Sequence, residues 1–136
     1  MKQEVVKDKN KILVLILRNG DFPEGLNFYT KNKDFIQLAT WRYDGGKKTS
    51  AHSHKTVKRI AFLTQEVVYI KRGKVSMNIY KGKGQKIKKV ILKKGDIAIV
   101  FGGGHSFEVL EKNTQAIEIK NGPYPGIKKD KKEIYG

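Results

Sequence analysis

The sequence predicts an all-β fold, a sandwich or barrel of about ten short strands. Three observations carry this. No segment keeps a helical 3.6-residue apolar period over ten residues, whereas short β-branched and alternating runs recur throughout. Turn residues punctuate the chain about every 8–12 residues. The chain has 136 residues, one domain by length, and enough to bury a core without disulfides.

The elements follow in order. Residues 1–10 are polar apart from Val5 and Val6 and read as an N-terminal edge segment, frayed or a short edge strand. Ile12 to Leu17 is an unbroken apolar run, stopped by the turn signal Asn19-Gly20-Asp21. Leu26 to Thr30 and Phe35 to Tyr43 are strands separated by Lys31-Asn32-Lys33-Asp34. Asp44-Gly45-Gly46 turns the chain into Ser50 to Lys55, and Val57 to Thr64 alternates as a further strand. Glu66 to Lys71 and Lys74 to Tyr80 form a hairpin about Arg72-Gly73. After the Lys81–Gly84 loop, the segments 87–92, 96–101, 105–111 and 114–120 complete the β domain, which spans residues 11–122. Residues 123–136 are a lysine-rich C-terminal tail.

Composition narrows the setting. There is no cysteine, which excludes thiolate metal sites and a cysteine nucleophile and fits a reducing compartment. No apolar leader follows Met1, and the longest apolar run is far too short to span a bilayer. A cytoplasmic protein without membrane contact is the expectation. The formal charge is +16, but only Arg18, Arg42, Arg59 and Arg72 of the 29 basic residues are arginine. Lysines crowd turns and the tail, without interleaved aromatics. That pattern argues against a specific nucleic-acid reader and for a solvated surface of lysine-biased composition, with electrostatic attraction of an anionic small molecule as the alternative.

The chemistry concentrates in one constellation. His52, His54 and His105 are the chain's three histidines. In a strand, residues two apart share a face, so His52 and His54 project together. Glu66 aligns with Val68 and Ile70, and His105 with Phe107 and Val109, both apolar faces. A buried carboxylate needs a cation or hydrogen-bond partner. Three imidazoles and one carboxylate converging on an interior point would satisfy all four, so His52, His54, Glu66 and His105 are the candidate ligands of one divalent metal. Nitrogen and oxygen donors without sulfur suit Fe, Mn, Ni, Zn or Co. The glycine run 102–104 lacks a following Gly-Lys-Ser and reads as a turn passing close to the site.

The spacing of these residues resembles the cupin family. Gly46, five residues, His52-Ser53-His54, and then Glu66, six residues, Gly73 match the outer spacings of that family's first motif. Eleven residues separate His54 from Glu66 where the family has three or four, an insertion. In the second motif Gly95, Gly102 and His105 are in place, while Val100 and Val109 replace the proline and asparagine. Thr64–Val67, Gly95–Ile97, Gly103–Glu108 and Glu118–Tyr124 are also similar to small single-domain cupins of unassigned function. The resemblance implies a double-stranded β-helix, or jelly-roll barrel, over roughly residues 22–131, a homodimer joined at sheet edges, and a place in carbohydrate metabolism. The fold hosts many reactions and names none.

Trp41 and Tyr43 share a strand face and are candidates for a pocket wall, Trp41 alternatively for barrel core; Arg59 could hold a carboxylate or phosphate bidentately. Gln65 faces away from Glu66, and Tyr69 falls on the outer face. Two function classes stay open. One is a metal-dependent isomerase or oxygenase acting on a sugar, sugar nucleotide, or keto or hydroxy acid. The other is a non-catalytic sugar- or anion-binding accessory or sensor. No dedicated general base stands out beyond the ligands.

Overall fold

Every side chain from Leu13 to Leu17 is buried, so this run needs cover on both faces, and the architecture supplies it. The computed structural model describes residues 1–134, apart from the Lys83 side chain. The chain runs β1 (Gln3–Asp8), β2 (Lys11–Leu17), β3 (Gly25–Phe28), β4 (Ala39–Arg42), β5 (Glu66–Arg72), β6 (Lys74–Tyr80), a single 3₁₀ turn (Gly82–Gly84), β7 (Lys86–Lys93), β8 (Ile97–Val100), β9 (Gly104–Val109), β10 (Gln115–Lys120) and a one-turn helix α1 (Ile127–Asp130). The fold is all-β. Its antiparallel strands form a five-stranded sheet ordered β1-β2-β8-β5-β10, a three-stranded sheet ordered β7-β6-β9 and the pair β3-β4, and none of the three closes into a barrel.

The two larger sheets face each other. Val14, Ile16, Val68, Ile70, Ala98 and Val100 from the five-stranded sheet share one core with Val75, Met77, Ile79, Val90 and Leu92 from the three-stranded sheet. On the outer face of the larger sheet a second core joins Leu15, Leu17, Val67, Ile97 and Ile99 to Ile36, with Tyr29, Leu38, Phe101 and Met1 packed against it. Burial on both faces is the reason β2 reads as a continuous apolar block rather than an alternating one.

The N-terminal segment is an edge strand, pairing Gln3–Asp8 with Lys11–Leu17. Three other expectations are corrected. First, β5 and β6 are not a hairpin: β5 pairs with β8 and β10, and β6 with β7 and β9. Gly73 is a corner that carries the chain from one sheet to the other, at φ +81 with a notional Cβ 2.9 Å from Thr114 Cα, a position only glycine fills. Second, neither Ser50–Lys55 nor Val57–Thr64 is a strand, and every residue from Trp41 to Leu63 is exposed. Alternation is necessary for a half-buried strand but not sufficient; no neighbouring strand is present among the described residues to bond this one. Third, Trp41 is not core: it is 66% exposed, opposite the exposed Leu26 on β3. Among the described residues, no helix is long and apolar enough to cross a membrane. Tyr135 and Gly136 of the tail lie outside the described residues.

Candidate functional site

A row of directly opposed residues crosses one end of the five-stranded sheet: Val14 faces Val100, Val100 faces Glu66, and Glu66 faces Lys120. Because Glu66 is in phase with the core residues Val68 and Ile70, its side chain turns toward the three-stranded sheet. On that sheet His105 lies opposite Ile79, itself a core residue. Glu66 and His105 therefore project from opposite sheets into the same interior.

They meet there. Glu66 Oε1 lies 2.6 Å from His105 Nε2, and Oε2 lies 3.4 Å from Lys120 Nζ, which also pairs with Glu118 at 2.5 Å. Glu66 is 4% exposed, and the His105 side chain 27%. The contact with Nε2 is short but lacks the direction of a hydrogen bond, for among the described residues Oε1 is buried without a hydrogen-bond partner; so is His105 Nδ1, the ring's other nitrogen. Burial pushes the Glu66 carboxyl upward, but His105 and Lys120 together outweigh it and hold the group below its ordinary value. The hydrogen bond to Glu118 lifts Lys120 above the usual lysine range, against the opposing effect of burial.

This trio borders a half-open cavity of about 650 Å³. It is also lined by Gly102–Gly104 and Lys81, by Leu63 and Thr64, and by Asp130 to Ile134 of the tail. The glycine run does pass close: at φ +78, a Cβ on Gly103 would sit 2.7 Å from the Tyr80 carbonyl oxygen and 3.2 Å from a Leu13 methyl. Thr64 is tied to the tail, its hydroxyl donating to the Asp130 carboxylate.

Of the four proposed ligands, the structure joins two. His52 and His54 stand on the exposed segment, their rings edge to face at 5.4 Å, with His52 Nδ1 2.9 Å from the Ser50 carbonyl oxygen. They adjoin each other and are not among the residues lining the cavity. Among the described residues, no group of three or more histidine, aspartate and glutamate side chains is placed to hold a metal ion. Arg59, Trp41 and Tyr43 are also outside the cavity lining. Trp41 and Tyr43 pack together at 6.0 Å between ring centroids, and the Lys47 ammonium lies over the Tyr43 ring.

Gln65 is on the outer face as expected, and it is an anchor. Its Oε1 accepts from the backbone N–H groups of Phe35 and Ile36 at 2.8 and 3.1 Å, which fixes the segment covering the outer core. Sequence reasoning missed Lys120 and the tail. Which strand borders β5 is a long-range fact that Lys120 does not advertise. The tail carried a signal in Ile134, an apolar residue within a lysine-rich run that lies on the cavity wall.

Comparison of the chain with known family models, with curated proteins and with solved structures yields no match.

Proposed function

We propose that the chain is a cupin-type protein that binds a small polar ligand in the cavity where Glu66 and His105 meet. The single observation that carries this is the 2.6 Å contact between those side chains, from opposite sheets, at the wall of a cavity. Two facing antiparallel sheets, with consecutive strands crossing between them at Gly73 and at the glycine run, support a jelly-roll of the double-stranded β-helix type.

Glu66 and His105 are a fitting half of a metal site: an imidazole and a carboxylate at one point, with buried polar atoms left over. One divalent metal (Fe, Mn, Ni, Zn or Co) would be held by His52, His54, Glu66 and His105 if the segment that ends at Leu63, on the cavity wall, folds over the opening. Such a metal would polarise a carbonyl or hydroxyl of the bound ligand. The chain's own groups do the rest. Glu66, kept ionised, accepts a hydrogen bond or proton from a ligand hydroxyl, and Lys120 keeps that carboxylate in place. This is the chemistry of an isomerase or oxygenase acting on a sugar, sugar nucleotide, or keto or hydroxy acid. A second reading is a non-catalytic sugar- or anion-binding accessory or sensor; the engagement of Glu66 by Lys120 and His105 without further ligands favours it. A cytoplasmic homodimer belongs to the same reading. The exposed face shared by Leu26, Phe28, Trp41 and Tyr43 supports a second copy as its cover.

The test is elemental analysis of untagged protein beside His52→Ala and His105→Ala. Stoichiometric metal in the wild type, lost in both variants, is expected. Equal trace metal in all three would remove the metal and leave the binding reading, which is then judged by whether His105→Ala alone abolishes ligand binding.

A further inference from the structure

The lysine-rich tail is built into the cavity. Helix α1 turns it, with Asp130 N–H and Lys131 N–H donating to the carbonyls of Gly126 and Ile127 at 3.0 and 2.9 Å. Asp130 then takes the Thr64 hydroxyl, and the Ile134 side chain fills the space that a side chain at Gly104, next to His105, would need. Two attachments thus bracket Lys131 and Lys132 and set both on the cavity wall, with Lys81 also on that wall.

The charges there are unequally engaged. Lys120 is paired with Glu118 and Glu66. Among the described residues, Lys81, Lys131 and Lys132 have no acidic partner within ion-pair distance. The sheet side shows the opposite need, since Glu66 Oε1 and His105 Nδ1 are buried polar atoms without hydrogen bonds. Both side chains also line the cavity, so a ligand hydroxyl can hydrogen-bond the parts of Glu66 and His105 that face it. Free ammonium groups in a cleft with low-dielectric walls focus an attractive field on an anion.

We infer that the C-terminal segment forms the anion-binding wall of this cavity, so that the site takes a small hydroxylated anion, a sugar phosphate or a hydroxy acid, with the hydroxyl end at Glu66 and His105 and the anionic end at Lys131 and Lys132. The inference rests on the cavity reading given above and adds the tail to it.

Calorimetry at about 0.15 M salt, where long-range surface attraction is largely screened, tests it with glucose 6-phosphate, gluconate, glucose and inorganic phosphate as probes. The proteins are the wild type, Lys131→Glu/Lys132→Glu, Lys128→Glu/Lys129→Glu and Glu66→Gln, each first shown by melting to be folded. Glucose 6-phosphate or gluconate should bind at least about tenfold more tightly than glucose or phosphate alone, the preferred one telling phosphate from carboxylate. Lys131→Glu/Lys132→Glu should lose at least about tenfold, and the Lys128/Lys129 pair, with the same charge change on the same tail, should not. Glu66→Gln should also weaken binding. Equal losses in the two lysine pairs, or no binding of either hydroxylated anion, overturns the inference. If Glu66→Gln weakens binding and Lys131→Glu/Lys132→Glu does not, the cavity reading stands and the role of the tail falls. The reverse result, with phosphate bound as tightly as its sugar ester, reduces the tail to a simple phosphate binder and sinks the composite site.

Discussion

Asp96 shows how one residue at the end of the sandwich away from the cavity organises its surroundings. It is buried, its Oδ1 accepts from Asn19 N–H at 2.8 Å, and its Oδ2 accepts from Arg18 at 2.8 Å and from Lys93 N–H at 3.0 Å. Asp96→Ala leaves two backbone donors wanting and takes one acceptor from Arg18, which keeps Glu4 and the Ile91 carbonyl; a loss of about 2–4 kcal/mol is expected in urea unfolding. Arg18 reaches on to Glu4, which Lys88 also pairs at 2.7 Å. Lys88 first, and Arg18 next, hold the Glu4 carboxyl below its ordinary value. A depressed carboxylate stabilises the fold above its unfolded pKa, and that contribution disappears as pH falls through the folded value. Glu4→Gln should therefore cost up to about 1 kcal/mol at pH 7, the pair being partly exposed, and the gap between variant and wild type should close in acid. At this scale the sequence was informative about Glu66, whose burial followed from Val68 and Ile70; His105 shares its face with Phe107 and Val109, which are exposed, so its apolar neighbours did not mark a buried face. His52 and His54 obeyed the same spacing rule, but the rule presupposes a strand, and their segment has none.

Elements were legible where two covered faces or a clean alternation marked them, as in β2, β5, β6 and β8. Partner choice was not. Lys71-Arg72-Gly73-Lys74 has the look of a hairpin turn, and only the closeness of Gly73 to Thr114 shows it to be a corner between sheets. Phe35–Tyr43 reads as one strand, yet only Ala39–Arg42 pairs; Phe35 and Ile36 spend their N–H groups on the Gln65 side chain instead. That substitution has a local consequence. Gln65→Ala should release the cover of the outer core, for about 1–3 kcal/mol. By hydrogen exchange, the Phe35 and Ile36 amides should lose protection, whereas β8, central in the sheet, should keep its own. Uniform loss across the sheet would mean that Gln65 holds the whole sandwich rather than its cover.

The molecule as a whole divides into a bonded sandwich and a long exposed traverse, residues 43–63, joining the β3-β4 pair to β5. The traverse carries Lys47, Lys48, Lys55, Lys58 and Arg59, and its backbone lies outside every sheet, so trypsin should cut there before it cuts any strand. The two products should stay together on a sizing column. β2, from the first product, is hydrogen-bonded along β8, from the second, and Gln65 holds Phe35 and Ile36 across the cut. Denaturant should part them. The same experiment bears on the metal. If His52 and His54 join Glu66 and His105 around an added divalent ion, the traverse is pinned across the cavity and cleavage at Lys55, Lys58 and Arg59 should slow several-fold, with His105→Ala abolishing the protection. Cleavage at an unchanged rate across the Fe, Mn, Ni, Zn and Co series would leave the histidine pair outside the site, and the cavity to Glu66, His105 and the lysines alone.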